Sequence, residues 1–176
     1  VCFNSSENGL REKLFGIKNF GIWDEELIKD VGANAKMNEF QAAMGLCNLR
    51  HIERELDKRK KVVEHYNQRL SGVKGIRISG EQKDVKPNYA YYPVMIEPEV
   101  FGKSRDDIYE LLKVNEIYAR KYFYPLTNTF DCYKGRFDMG DTPVALDLSK
   151  KVLTLPLYAD LRIDQVDRIC DIILGK

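Results

Sequence analysis

Histidine is scarce in this sequence, and the few cysteines are irregularly spaced and poorly placed for chemistry. There are two histidines, His51 and His65, and four cysteines, Cys2, Cys47, Cys132 and Cys170, in 176 residues. No Cys-x-x-Cys pair occurs and the two histidines form no pair at ligand spacing, so the sequence predicts no metal site. The same scarcity argues against a Ser-His-Asp or Cys-His centre. Scattered cysteines fit reduced thiols of a cytoplasmic protein better than a disulfide framework. No apolar run approaches the ~20 residues of a membrane span, and no basic segment followed by a long apolar run opens the chain as a signal peptide would. An excess of charge is missing too. Lys+Arg 28 against Asp+Glu 27 leave a formal net charge of +1, which supplies no bulk attraction for nucleic acid or a membrane surface. Internal repeats and low-complexity linkers are absent. The chain opens Val1-Cys2-Phe3 without a methionine, and the expectation is that the natural protein begins upstream.

What is present is an ordinary globular composition, 44% hydrophobic and 31% charged, in a chain long enough to bury a core. Val1–Phe3 reads as a strand end. Asn4 with Glu7 reads as a capping box opening a helix to Lys18, which Asn19-Phe20-Gly21 closes through a left-handed residue. Residues 22–36 read as a loop, broken by Gly32 and the alanines beside it. From Met37 to Leu70 runs the longest helical pattern. Met37, Phe40, Ala42, Ala43, Met44, Leu46 and Cys47 make its first half apolar nearly all round, the mark of a helix buried on several sides. Leu49, Ile52, Leu56, Val63, Tyr66 and Leu70 make the second half amphipathic, with Glu55–Arg59 and Asp57–Lys61 at ion-pair spacing. Both histidines fall here and read as solvated.

Beyond Gly72 the period changes. Ile76–Ser79, Tyr89–Glu97, Tyr118–Tyr124 and Val152–Tyr158 read as strands, with Pro93 pointing to an edge or an irregularity. Helices are expected after Ser104, whose Asp107 completes a capping box, with Ile108, Leu111 and Leu112 facing inward. Another is expected after Thr142-Pro143, and a last one carries Val166, Ile169, Cys170 and Ile173 on one stripe. This part reads as a compact α+β domain. The single opening strand has no partner and reads as the edge of a larger sheet.

The stretch Gly32-Ala33-Asn34-Ala35-Lys36-Met37-Asn38-Glu39-Phe40-Gln41-Ala42-Ala43 puts an amide and a cation just ahead of a helix start. That combination suits a phosphate or carboxylate. Equally, Asn34 or Asn38 serves only as the helix cap and Lys36 is solvated.

This stretch resembles the G-x-N-x-[RK]-M-x-E-x-Q-A-A signature of the DegT/StrS sugar-nucleotide aminotransferases, enzymes of the aspartate-aminotransferase fold (fold type I) that use pyridoxal 5'-phosphate. Asn4–Gly21 resembles the family segment that follows the cofactor lysine. Ala119–Leu126 resembles the active-site strand of its C-terminal domain, and Val152–Tyr158 its closing motif. The resemblance implies an α/β fold in the parent enzyme. It implies that this chain is mainly an α+β C-terminal domain: residues 1–36 a remnant of the large cofactor domain and the interdomain loop, 37–72 a long connecting helix, 73–176 the small domain.

By the same resemblance, Asn34 reaches the cofactor phosphate of the other subunit of a homodimer and Lys36 sits beside it. Tyr122 and Tyr124 line the sugar-nucleotide side, and Arg120 meets a substrate phosphate. Read from the residues alone, the two tyrosines are equally a packed aromatic strand, and Arg120 equally pairs on a strand surface. A histidine that many members carry after the tyrosine-proline is replaced by Leu126-Thr127-Asn128, so no acid/base histidine is assigned. No lysine here, Lys18, Lys36 and Lys121 included, falls at the position of the family's Schiff-base lysine. The catalytic lysine is expected upstream of residue 1, and the fragment alone is expected to bind no cofactor and to be inactive. The implied reaction of the parent moves an amino group from glutamate to a nucleotide-linked keto-deoxy sugar, with dTDP-4-keto-6-deoxyhexoses the closest substrates in wording of motif, for surface polysaccharide or deoxyamino-sugar biosynthesis. The competing reading is a non-catalytic interaction or dimerisation module presenting the charged face between Arg50 and Lys61. There Glu53, Glu55 and Asp57 interleave with the basic residues, as on a solvated helix.

Overall fold

A computed structural model describes residues 9–80 and 82–176. The strand expected at Val1–Phe3, the Asn4–Glu7 capping box and Cys2 lie outside the described residues. The chain divides into two compact units, residues 1–51 and 52–176.

In the first unit, helix α1 (Leu10–Lys18) ends as its sequence requires. Phe20 and Gly21 both take positive φ, 62° and 79°. The loop expected over 22–36 contains a small hairpin, β1 (Ile22–Asp24) with β2 (Leu27–Ile28). Its strands are too short for a periodicity to register. The turn after α1 needs its glycines. A Cβ on Gly32 would stand 2.3 Å from the Ile17 carbonyl oxygen. Helix α2 (Glu39–Leu49) is capped by Asn38, whose side chain accepts from the Gln41 amide at 2.8 Å while Gln41 Oε1 accepts from the Asn38 amide at 3.0 Å. The apolar surface of α2 is not buried: Phe40 is 90% exposed, and Met37, Met44 and Leu46 are open as well. The composition that predicted burial identifies an apolar surface, not what covers it.

The helical pattern from Met37 to Leu70, whose continuity near Arg50 the sequence leaves open, is two helices. Arg50 and His51 form a turn, and α3 (Ile52–Leu70) belongs to the second unit. The rest of that unit comprises β3 (Ile76–Ile78), β4 (Tyr92–Ile96), α4 (Pro98–Phe101), α5 (Arg105–Val114), α6 (Pro143–Lys151), β5 (Val152–Leu155) and α7 (Ile163–Leu174). The strands form one antiparallel sheet in the order β3-β4-β5. Alternation along β4 sends Tyr92, Val94 and Ile96 into a core with Tyr66 and Leu70 of α3, Ile108 and Leu112 of α5, and the Val166–Ile169–Cys170–Ile173 stripe of α7. Burial pushes the Cys170 thiol up to about 11. Ser104 and Asp107 form the expected capping box of α5.

Pro93 stands in the central strand, not at an edge. The register explains why. Thr154, its partner on β5, exchanges both backbone hydrogen bonds with Arg120 on the far side (2.9 and 2.8 Å), and pairing with β3 stops at Val94. No neighbour calls on an N–H from Pro93. The helical ion pairs also differ from expectation. Glu55 meets Arg54 at 3.2 Å and Lys58 at 3.7 Å instead of Arg59, and Lys58 reaches Asp160 at 2.8 Å. Among the described residues Asp57 forms no ion pair with Lys61. His65 is not solvated; it meets Asp167 of α7 at 2.8 Å. Among the described residues no helix is long and apolar enough to cross a membrane.

Candidate active site

In the first unit the residues around Asn34 are laced against the end of α1. Asn34 bridges Asn19 in antiparallel fashion, flanked by hydrogen bonds from the Ala33 amide to Ile17 O (3.1 Å) and from the Ala35 amide to Lys18 O (2.9 Å). The backbone is thereby fixed while the Asn34 side chain stays exposed, with no hydrogen bond among the described residues. Lys36 Nζ donates to Asn19 Oδ1 at 2.9 Å and rests 4.8 Å from the centroid of the Phe20 ring. The helix cap is Asn38, four residues further on, so Asn34 has no capping duty. An amide and an ammonium with spare N–H groups, two residues apart, sit on one fixed loop, and that chemistry suits a phosphate.

In the second unit Tyr118–Tyr124 is not a strand. Its backbone pairs with the sheet at Arg120, by a double hydrogen bond to Thr154, and then turns, with the Tyr124 amide bonding to Lys121 O at 2.7 Å. Aromatic side chains raised the strand propensity, but only Ala119 points into the core; Tyr118, Phe123 and Tyr124 are more than half exposed. The turn walls a cleft of about 450 Å³ together with Tyr109 and Phe130. Arg120 donates to the Tyr122 hydroxyl, and its guanidinium carbon lies 5.5 Å from the Tyr122 ring centroid. Tyr122 stacks on Phe123 (4.9 Å between centroids, 14° between planes) and meets the edge of Tyr91 at 5.5 Å. Thus Arg120 and Tyr122 are in contact. Tyr124 sits beside them but leans on a different residue, Arg105, whose guanidinium carbon is 5.0 Å from its ring centroid.

Arg105, Asp106 and Lys121 form a charged cluster behind the turn that sequence reasoning did not identify. Arg105 is 2% exposed and donates to Ser149 O at 3.0 Å and Val152 O at 3.2 Å. Its Nε lies 2.8 Å from Asp106 Oδ1, off line for a hydrogen bond. Lys121 Nζ meets the same oxygen at 2.5 Å and the Tyr109 ring at 4.4 Å. Burial alone would raise the Asp106 carboxyl, but Lys121 and Arg105 outweigh it and hold it below the usual range. Nothing in the pattern Ser104-Arg105-Asp106-Asp107 distinguishes a buried arginine from a solvated one at a helix start.

Comparison with known proteins shows the family. Residues 2–174 match the DegT/DnrJ/EryC1/StrS aminotransferase family. A dTDP-4-amino-4,6-dideoxy-D-glucose transaminase of Escherichia coli is 43% identical over 162 residues, 91% of this chain and 43% of that protein. The transaminase of the same name from Shigella dysenteriae is 37% identical over 169 residues, 96% of this chain and 45% of that protein. Among solved structures, DesI in the presence of its TDP-sugar product aligns at a TM-score of 0.82 and 27% identity, over 93% of this chain and 42% of that one. DesV of S. venezuelae shares the fold at a TM-score of 0.83 and 24% identity, over 96% of this chain and 44% of its own length. The chain therefore spans less than half the length of these relatives. With its family match running almost end to end, the chain belongs to the DegT/DnrJ/EryC1/StrS aminotransferase family.

Proposed function

We propose that this chain is the C-terminal portion of a cytoplasmic, homodimeric transaminase that uses pyridoxal phosphate and moves an amino group from glutamate to a nucleotide-linked keto-deoxy sugar. The sugar is a dTDP-4-keto-6-deoxyhexose, destined for surface polysaccharide or a deoxyamino sugar. One observation carries this reading: 43% identity, over 91% of the chain, to a dTDP-4-amino-4,6-dideoxy-D-glucose transaminase. On this reading residues 1–36 are the end of the cofactor domain and the interdomain loop, residues 37–72 connect, and residues 73–176 are the small domain.

Bound pyridoxal phosphate supplies the electron sink that makes amino transfer possible. The chain's own residues then have simple tasks. Asn34 donates its amide N–H to the phosphate held by the partner subunit, and Lys36 places a positive charge beside it. Arg120 offers its guanidinium to a substrate phosphate, while Tyr122 and Tyr124 line the sugar-nucleotide side. The open apolar surface of α2 supports a seat for the large domain and the dimer. No lysine of this chain is assigned to carry the cofactor, so residues 1–176 alone bind none and turn nothing over.

The test has two arms. The full-length protein, given dTDP-4-keto-6-deoxyglucose and glutamate, should release 2-oxoglutarate and the aminated sugar. Residues 1–176 with added pyridoxal phosphate should release neither. A full-length protein without this activity overturns the substrate assignment. Turnover by residues 1–176 overturns the assignment of the catalytic lysine to the upstream part.

A further inference from the structure

The turn after Arg120 holds a tier of aromatic rings that the expected roles of Tyr122 and Tyr124 do not explain. Phe123 lies nearly parallel to Tyr122, 4.9 Å between centroids, yet it is 73% exposed. Tyr91, from the segment leading into β4, meets Tyr122 edge-on at 86° and is itself 58% exposed. One face of Phe123 is therefore covered by Tyr122, while most of the ring stays open and Phe123 lines the cleft of about 450 Å³. A large ring backed on one side and otherwise open suits a further flat ring laid parallel to it.

Charge beside the tier narrows the class of ring. Two cations stand at the cleft, and they are not equivalent. Lys121 is committed to Asp106 at 2.5 Å. Arg120 meets no carboxylate among the described residues; it donates to the Tyr122 hydroxyl, and its backbone is pinned to Thr154. An unneutralised guanidinium at the edge of an aromatic tier is matched by a flat heterocycle carrying phosphate.

We propose that Phe123, backed by Tyr122 and braced by Tyr91, stacks against the base of a nucleoside diphosphate whose phosphates meet Arg120, with Lys121 withheld from them by Asp106. This inference rests on the nucleotide-sugar reading above and adds to it the residue that carries the base. Stacking on a π-face is tolerant of base identity, so the tier contributes affinity for nucleotides as a class.

The experiment titrates dTDP, and separately inorganic pyrophosphate, into residues 1–176 by calorimetry. Phe123→Leu should weaken dTDP about ten-fold and leave pyrophosphate unchanged. Tyr91→Leu should weaken dTDP by a smaller factor, and Arg120→Gln should weaken both ligands. Because Phe123 and Tyr91 are exposed, these variants should keep the wild-type circular dichroism and melting curve. Three results overturn the proposal: no saturable dTDP binding by the wild-type chain, equal dTDP affinity in Phe123→Leu, or an equal loss for dTDP and pyrophosphate in that variant. Any of these with transamination by the full-length protein intact removes the stacking role alone. Loss of that activity is what strikes the broader reading.

Discussion

His65 Nε2 lies 2.8 Å from Asp167 Oδ1, tying α3 to α7 beside the buried Tyr66 and Cys170. Arg69 reaches the same carboxylate and that of Asp171. The hydrogen bond from His65, with Arg69 adding to it, holds the Asp167 carboxyl below the usual range against the opposing effect of burial. A carboxyl whose folded-state pKa is depressed stabilises the fold above its unfolded value, about 3.9, and loses that contribution as pH falls through the lower folded value. Asp167→Asn should therefore lower the urea midpoint at pH 6. At pH 2–3 its midpoint should approach that of the wild type.

At the alkaline end the buried Cys170 thiol, pushed up to about 11, takes stability away first, and two phenols act above it. Tyr66 and Tyr92 stack at 4.6 Å; the first donates to Pro156 O at 3.1 Å and the second to Asn67 Oδ1 at 2.8 Å. Burial raises both well above the ordinary phenol range. The unfolded chain releases these protons near pH 10 while the folded one retains them, so stability falls above that pH by about 1.4 kcal/mol per unit for each phenol. Tyr66→Phe should remove one phenol's share of that slope and cost about 1 kcal/mol at neutral pH, because the Pro156 carbonyl loses its donor. Chemical denaturation between pH 8 and 11.5 measures both.

The commitment of Lys121 to Asp106 gives a prediction of opposite sign. Asp106→Asn removes the carboxylate that neutralises the lysine and leaves the ammonium at the edge of the cleft. Pyrophosphate binding to residues 1–176 should tighten a few-fold, the scale of one partly screened charge, with a steeper salt dependence. Unchanged pyrophosphate affinity would show that Lys121 does not reach the ligand even when released.

The second unit was legible wherever a local signal was present. Ser104 with Asp107 placed a helix by its capping box, Thr142-Pro143 by the proline in its first turn, and the stripe from Val166 to Ile173 by apolar spacing alone. The break at Arg50–His51 was not, since the apolar positions continue in helical phase through it. Tyr118–Tyr124 misled because aromatic residues favour strands only where one face is covered. The candidate site residues came to notice by different routes. Arg120, Tyr122 and Tyr124 emerged through a family resemblance, whereas Arg105, Asp106 and Phe123 acquire meaning from contacts that no spacing encodes. Arg105 meets Ser149 and Val152, more than forty positions away in sequence.

Two glycines separate backbone strain from steric conflict. Gly21 has φ 79°, and a Cβ there would stand 1.6 Å from the Asp30 carbonyl oxygen. Gly72 has φ 76° with nothing within 4 Å of such a Cβ. Gly72→Ala should therefore cost only the left-handed conformation, about 1 kcal/mol, read as a small shift in urea midpoint. Gly21→Ala adds a clash with fixed backbone that only displacement of the β1–β2 hairpin relieves. The Lys29 amide, which bonds to Gly21 O at 3.1 Å, and the Ala33 amide, which bonds to Ile17 O, should lose hydrogen-exchange protection in that variant. If Asn34 and Lys36 of the same loop hold the cofactor phosphate as proposed, full-length protein carrying Gly21→Ala should also hold pyridoxal phosphate more weakly. If the amides keep their protection, the turn accommodates a side chain and the close approach to Asp30 does not constrain it.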